Sequence, residues 1–315
     1  MNPLYHIFGK RSTPRDLAVQ TASLTNIAAN FCLAGMKIAL GLISSSAAIM
    51  SEAVNNAADA VSSVLTIVGA KLSRRKPDKK HPFGYGRIEY LTGLLIAAMI
   101  TYSGVKVCLA SLKKVFLPVL VDISYLSLGA IAFSALVKFA LGVYLIRMGK
   151  RTDCAPLRAV GLECRDDFFA SVMTVASALV FRLFHVQTDA YAGLLTSLAI
   201  VRTGICSFAS VLPDLLGRPG DEQLSDGLYR EIRQTEGIVR AAGMTLHNYG
   251  PGTYFGSVTV EMSRGLSVEA ASAILCRLRE NVARIFHVSM VFDVYPAEDD
   301  GGGECIADKE FRGKG

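Results

Sequence analysis

Residues 88–112 read IEYLTGLLIAAMITYSGVKVCLASL, a long apolar run that carries few charges. A helix of about 20 apolar residues is long enough to cross the roughly 30 Å of hydrocarbon in a lipid bilayer. Similar runs recur along the chain, in which 51% of the residues are hydrophobic and tryptophan is absent. A soluble domain would instead spread its apolar residues at helix or strand periods. The pattern therefore predicts an integral membrane protein.

Six runs of this kind predict an all-α transmembrane bundle of six helices. They cover residues 18–44, 46–72, 88–112, 119–147, 157–183 and 187–211. The connecting loops after the second and fourth runs are rich in lysine and arginine, as is the segment before the first run. Because these residues are enriched in cytoplasmic loops, we expect a multi-pass protein of the plasma membrane with both termini in the cytoplasm.

The basic segments 71–87 and 147–158 lie directly beside predicted spans. A nucleic-acid-binding surface would add aromatic or helical readout elements. We therefore expect both segments to set the topology, with no nucleic-acid partner. The basic loop 71–80 either contacts anionic membrane lipid or forms salt bridges to the soluble domain or to a partner protomer. The seven cysteines are scattered and form no C-x-x-C pair. This spacing predicts reduced thiols and neither a disulfide framework nor a zinc knuckle.

Hydropathy falls after residue 213, and the remaining pattern is typical of a small cytoplasmic α+β domain. It predicts a helix, two strands joined at residues 250–252, a helix and a last strand, with the helices over one face of the sheet. The predicted parts are a cytoplasmic N-terminal segment (1–17), the transmembrane domain (18–213), the α+β domain (214–297) and a disordered tail (298–315). The tail prediction rests on its glycine and charge content.

Polar side chains interrupt the second and fifth runs. Ionisable groups inside a membrane span are costly unless they are paired, hydrated or bound to metal. Asn55 and Asp59 are four residues apart, and so are Glu163 and Asp167. This spacing places each pair on one helix face. Two such helices facing each other would bring four oxygen-bearing side chains to one point, as a divalent cation requires.

The neighbouring polar residues have other interpretations. Asn56 faces away from the line of the predicted ligands and would form hydrogen bonds between helices. Arg165 and Asp166 would lie near the cytoplasmic end of their span and be solvated. Glu52 is a gating carboxylate, a proton acceptor or an interface residue, and the pattern leaves these three roles open.

Two segments resemble a known family. Residues 45–60, SSAAIMSEAVNNAADA, and residues 77–90, PDKKHPFGYGRIEY, closely resemble the cation diffusion facilitators, and the resemblance covers roughly residues 15–297. It implies a homodimeric six-span exporter of divalent metals, not an enzyme, that is driven by proton exchange. It also implies a ferredoxin-like, metallochaperone-like cytoplasmic domain. The implied transport site is Asn55, Asp59, Glu163 and Asp167, with glutamate at 163 in place of the usual aspartate.

The absence of histidine from these four positions bears on the metal. Carboxylate and carbonyl oxygens suit Mg²⁺, Ca²⁺ and Mn²⁺, but calcium prefers six to eight ligands and magnesium loses water reluctantly. Manganese is therefore the favoured substrate, with iron and cobalt next, and the manganese-type family members are similar in carrying oxygen ligands there. An exporter of zinc or cadmium is the alternative within the family, because carboxylates also bind zinc. No resident cofactor is expected.

Clustered carboxylates would bind either metal or protons, which predicts proton antiport. A membrane enzyme would add a nucleophile, a histidine or a phosphate-binding cation. A passive channel would show rings of like residues around a pore. A site of one amide and three carboxylates favours neither of these classes.

Secondary metal sites are weaker candidates. His81 resembles a family position that binds a second metal in some members, and Asp78 is its one acidic neighbour. In the cytoplasmic domain the candidate ligands are His247, Glu261, His287 and Asp293. The pattern does not place these four around one point, so we expect a metal-free domain that serves dimerisation.

Overall fold

The computed structural model describes residues 13–44, 47–116, 125–184, 186, 188–217 and 222–297. Only the last residues of the predicted N-terminal segment 1–17 are among them, and Pro14 already begins a helix. The predicted disordered tail, residues 298–315, lies outside the described residues.

Six long helices account for most of the first of two compact units, which covers the described parts of residues 1–76 and 87–212. They are α1 (Pro14–Ser44), α2 (Ala47–Ser73), α3 (Ile88–Phe116), α4 (Tyr125–Arg151), α5 (Ala155–Phe184) and α6 (Asp189–Leu216). The shortest has 27 residues and the longest 31. At a rise of 1.5 Å per residue, each is longer than the roughly 30 Å of hydrocarbon in a bilayer.

Within the part of the chain that the structure describes, five of these helices, all but α2, are apolar and long enough to cross a membrane. The exception has a physical reason. Five polar side chains of α2 lie inside the bundle, namely the buried residues Asn56, Asp59, Ser62, Ser63 and Thr66. They lower the mean hydropathy of α2 while facing protein instead of lipid. The predicted fold class, a transmembrane helix bundle with a small α+β domain, is confirmed.

Helices α4 and α5 pack against each other through glycines. A Cβ atom added at Gly161 of α5 would lie 2.7 Å from the backbone nitrogen of Ile146 in α4. One added at Gly149 of α4 would lie 2.7 Å from the backbone nitrogen of Arg158. Small residues allow transmembrane helices to approach this closely. The contact therefore fixes the position of α4 side chains relative to those of α5.

Charged residues join the helix ends at one side of the bundle. Arg15, at the start of α1, pairs with Glu89, at the start of α3, over 2.6 Å between Nη2 and Oε1. Arg15 Nε also donates to the backbone carbonyl of Thr152 in the α4–α5 turn. Arg74, just after α2, pairs with Asp16 over 3.1 Å. These contacts bring together the helix ends from which the basic loops start.

The second unit contains the predicted helix, strand, strand, helix and strand. These are α7 (Glu222–Arg233), β1 (Ile238–Gly250), β2 (Thr253–Met262), α8 (Val268–Phe286) and β3 (Val288–Pro296). β1 and β2 are antiparallel neighbours, and β2 and β3 are parallel neighbours, which requires a crossover such as α8. The hydrophobic core joins helices and strands, with Leu228, Ile232, Val258, Val260, Leu278 and Val282 fully buried.

The loop between α2 and α3, residues 77–86, also belongs to the second unit. The Phe83 ring stacks on Tyr249, with centroids 4.6 Å apart, and meets the edge of Phe255 at 5.0 Å. Gly86 lies so close to β1 that an added Cβ would be 2.3 Å from the Tyr249 carbonyl oxygen. The predicted boundaries instead include this loop in the transmembrane domain, residues 18–213. The division of the chain at residue 213 stays a prediction.

Candidate functional site

Three helices bring two carboxylates and one ammonium group together inside the first unit. Lys138 of α4 donates from Nζ to Asp167 Oδ2 of α5 at 2.6 Å, and over a shorter contact to Asp59 Oδ2 of α2. The Lys138 side chain is 3% exposed and that of Asp59 is 10% exposed. A buried lysine is costly to desolvate unless opposite charges compensate it. The two carboxylates supply that compensation.

Glu163 adds a third carboxylate beside this pair. It lies one turn before Asp167 on α5, and its Oε1 accepts a hydrogen bond from the Ser62 hydroxyl of α2 at 3.4 Å. Its Oε2 is buried and has no hydrogen-bond partner among the residues that the structure describes. Because Ser62 follows Asp59 by three residues, α2 presents both side chains to α5. Three of the four predicted ligands therefore lie in one region of the bundle.

The fourth predicted ligand, Asn55, differs from the other three in its exposure. Asn55 is exposed on α2, whereas Asn56 is buried and 3% exposed. The sequence pattern predicts that Asn56 faces away from the line of predicted ligands, whereas in the structure its side chain is buried inside the bundle. A spacing of three residues also keeps Asn56 on the side of Asp59. Metal binding by Asn55 stays a prediction.

Within the described ranges, no group of three or more His, Cys, Asp or Glu side chains is arranged to hold a metal ion. The arrangement observed is one in which Lys138 lies between the Asp59 and Asp167 carboxylates.

A neutral polar network supports the site from α1. Asn26 donates from Nδ2 to Ser63 Oγ of α2 at 2.7 Å, and its Oδ1 accepts from the Cys164 thiol of α5 at 3.6 Å. Asn30, one turn further along α1, donates to the same Oδ1 at 3.1 Å. Ser63 and Cys164 are sequence neighbours of Ser62 and Glu163. The network therefore holds the helix surfaces that carry the carboxylates.

Glu52 is ion-paired in the structure. Its Oε2 lies 2.7 Å from Nζ of Lys37 in α1, whose side chain is 3% exposed, while that of Glu52 is 31% exposed. Glu52 precedes Asp59 by two helix turns, so both acids lie on one side of α2. The pair ties the two helices together, and a part for Glu52 in gating or proton transfer stays a prediction.

The expectation that Asp166 is solvated is wrong. Its side chain is 7% exposed and pairs with Arg165 over 3.1 Å. Arg165 also donates to the Thr203 hydroxyl of α6 at 3.4 Å. The two charges compensate each other beside α6, and so Asp166 can be buried although it does not face the cluster around Lys138.

Asp78 shapes the α2–α3 loop. Its Oδ1 accepts the backbone N–H groups of Lys80 and His81 at 2.9 and 2.7 Å, and its Oδ2 accepts the Tyr85 hydroxyl at 2.6 Å. The Tyr85 hydrogen bond, with those from the backbone, lowers the pKa of Asp78 to about 2. His81 Nδ1 lies 3.4 Å from Asp78 Oδ1. These contacts explain the turn, and metal binding by His81 stays a prediction.

The four candidate ligands of the α+β domain are spread over the sheet. His247 of β1 is opposite Phe255, while Glu261 lies six residues further along β2, which is about 20 Å at 3.3 Å per residue. Asp293 of β3 is opposite Thr259. His287 ends α8 with a φ of 55°, so it serves as a helix cap. The expectation that these residues do not surround one point agrees with this register.

Sequence reasoning missed both buried lysines. Lys37 and Lys138 lie within predicted spans, where any ionisable side chain is a functional candidate, so the rule that indicates the acids indicates these lysines as well. Which acid each lysine pairs with depends on helix packing, which the sequence pattern does not fix.

Comparison with known proteins decides the family. Residues 23–216 match the cation efflux transmembrane domain. The chain belongs to the cation efflux family. Manganese efflux system proteins MneS and MneP of Bacillus subtilis are 23% and 21% identical to it, over 86% and 87% of this chain and 94% of each relative. An uncharacterized transporter of Methanocaldococcus jannaschii is 22% identical over 87% of this chain and 99% of the relative.

The family assignment confirms the resemblance drawn from residues 45–60 and 77–90. Cation efflux proteins are transporters, so this chain is a multi-pass membrane transporter that exports divalent cations.

Proposed function

We propose that the chain exports Mn²⁺, with Fe²⁺ and Co²⁺ as further substrates, from the cytoplasm across the plasma membrane in exchange for protons. The donor set is the observation that supports the metal. Asp59, Glu163 and Asp167 offer carboxylate oxygens without imidazole, and such hard donors suit Mn²⁺. The nearby Cys164 thiol is directed to Asn26 instead. Two of the relatives are named as manganese efflux proteins.

Proton exchange follows from the charge of the cluster. Buried carboxylates are poorly solvated, so positive charge must accompany them through the transport cycle. When Mn²⁺ leaves, protons from the opposite side restore part of that charge on the same oxygens. Metal and protons then exclude each other at one site, and this exclusion couples their movements.

The positive charges support the orientation. The helix ends joined by the ion pairs Arg15–Glu89 and Arg74–Asp16 carry the basic segments 71–87 and 147–158, which favour the cytoplasm. Both termini and the α+β domain are then cytoplasmic. The chain acts as a homodimer, in which the α+β domain, with a hydrophobic core of its own, serves assembly.

Reconstituted vesicles with a metal-sensitive dye inside test the proposal. We expect Mn²⁺ uptake to rise when the lumen is acid, and Asp59→Ala to reduce it by at least about tenfold, because a buried charge-bearing oxygen is lost. Asp226→Ala is the matched control, since Asp226 is exposed on α7, and it should transport like the wild type.

Each part of the proposal can fail separately. If Asp59→Ala leaves the flux of every divalent metal unchanged, the proposed transport site is wrong. Flux that ignores the pH gradient would refute antiport. Transport of Zn²⁺ or Cd²⁺ in preference to Mn²⁺ would contradict the proposal of Mn²⁺ as the substrate, but it would not contradict the proposed site.

A further inference from the structure

Lys138 is the central residue of the 27-residue helix α4. A lysine near a helix end extends its side chain to the membrane surface, but one at the centre has no such route and requires partners inside the bundle. Its side chain is 3% exposed. The partners are the Asp59 and Asp167 carboxylates, on two different helices.

The ammonium group contacts the same oxygens that a transported metal would use. Asp59 Oδ2 and Asp167 Oδ2 both lie within hydrogen-bond distance of Lys138 Nζ, at 2.6 Å for Asp167. Small divalent ions such as Zn²⁺ and Mg²⁺ lie about 2.0–2.2 Å from the carboxylate oxygens that bind them. A metal shared by these two oxygens would therefore occupy the space of the ammonium group, and two cations so close together repel strongly where water is scarce.

We infer that Lys138 is the resident counter-cation of the transport site, which the substrate metal must displace from Asp59 and Asp167 and which returns when the metal leaves. This inference rests on the proposed function, because it takes these carboxylates as metal ligands. It makes Lys138 a specificity-determining residue: a metal is bound only if its attraction to the carboxylates exceeds that of the ammonium group. It also gives the empty site a compensating charge while the carrier resets.

A purely structural role for Lys138 predicts different behaviour. If the lysine only held α4 against α2 and α5, its removal would loosen the site and weaken metal binding. If it competes with the metal, its removal should strengthen binding. The opposite signs allow one binding measurement to separate the two roles.

The experiment compares Lys138→Met with Lys138→Arg and wild type, purified in detergent micelles. For Lys138→Met we expect Mn²⁺ to bind at least about tenfold more tightly in calorimetry, a change within the usual range for two ligands that oppose each other. Lys138→Arg keeps the positive charge, so it should bind Mn²⁺ more weakly than Lys138→Met does. Lys37→Met is the matched control, since Lys37 is equally buried but pairs with Glu52, and its Mn²⁺ affinity should not tighten.

Transport gives a second signature in vesicles. Net Mn²⁺ export by Lys138→Met should fall by at least about tenfold, because the empty site must reset without its counter-cation. Exchange of radioactive for unlabelled Mn²⁺ does not require the empty site to reset, so it should be retained to a larger extent than net export. A loss of both activities together would overturn the inference.

The wild type provides a test that requires no variant. Reductive methylation of Lys138, measured by mass spectrometry, should increase when Mn²⁺ is added, because the displaced ammonium group is released from its ion pairs. Labelling that is unchanged or reduced by Mn²⁺, or binding by Lys138→Met that is unchanged or weaker, would overturn the inference. If wild type binds another divalent metal but not Mn²⁺, the proposed metal fails, and Lys138 is tested with the metal that binds.

Discussion

At the scale of single residues, Asn26 joins three helices through one buried amide. It bonds to Ser63 of α2, to Cys164 of α5 and to Asn30 in its own helix, and its exposure is 0%. Asn26→Ala would leave Ser63 and Cys164 without this partner. We expect the free energy of unfolding to fall by about 1–2 kcal/mol, measured by detergent-induced unfolding.

Thr25→Ala provides the control for this prediction. Thr25 is the exposed neighbour of Asn26, and its hydroxyl donates to the Thr21 carbonyl of its own helix at 2.8 Å. Its loss should change the free energy of unfolding by less than about 0.5 kcal/mol. Equal losses for the two variants would show that the network between helices does not stabilise the bundle.

The pH response of Asp78 follows from the Tyr85 hydroxyl. Because this contact, with the backbone N–H groups, lowers the pKa of Asp78 from 3.8 to about 2, the bonded turn is favoured above about pH 4, and the preference is lost as the pH falls through about 2. Tyr85→Phe should raise this pKa towards its ordinary value. Carbon NMR of labelled aspartate carboxyls, with Asp78→Asn for assignment, measures it.

Tyr102→Phe is the matched control, since Tyr102 is exposed on α3 and its loss should leave the Asp78 titration unchanged. A wild-type midpoint near 3.8 would contradict the role given to Tyr85.

At the scale of helices, the α4–α5 contact sets the distance from Lys138 to Asp167. Gly161→Ala would place a methyl group 2.7 Å from the Ile146 backbone nitrogen, so the two helices must separate. Displacements of about 1 Å at a site can cost up to a hundredfold in rate, and we expect Mn²⁺ flux in vesicles to fall by at least about tenfold. The matched control is Gly129→Ala on α4, where an added Cβ meets nothing within 4 Å.

Gly129→Ala should transport Mn²⁺ like the wild type. If Gly161→Ala does so as well, the close packing of α4 and α5 does not position the site.

The elements themselves could be predicted because their signals are local. Apolar length marks five of the membrane helices, and alternation along residues 242–249 and 254–262 marks β1 and β2. The rotation of a helix is harder to predict. Asn55 and Asn56 differ by about 100° around α2, and the spacing of Asn55 to Asp59 alone did not show that Asn56 is the buried one. Packing against α1 and α5 decides that rotation.

At the scale of the whole molecule, contacts between distant parts of the chain escape prediction. The acids Asp59, Glu163 and Asp167 were found because carboxylates are rare in apolar spans. Lys138 lies 79 residues from Asp59 along the chain, and its partner depends on which helices are neighbours. The stacking of Phe83 on Tyr249 is of the same kind. The types of residue within the spans indicated metal binding, whereas the partner of each charged side chain became known only from the tertiary structure.

The proposed homodimer leads to a prediction about the role of the α+β domain. Helix association inside a bilayer lacks the hydrophobic driving force that acts in water, so we expect the α+β domain to contribute much of the dimer's stability. A chain that ends at residue 217, after α6, should dissociate with a constant at least about tenfold higher than wild type. Energy transfer between labelled protomers in micelles measures this. Removal of residues 298–315 is the control and should leave the dimer unchanged, whereas a shortened chain that stays fully dimeric would show that the transmembrane helices alone hold the protomers together.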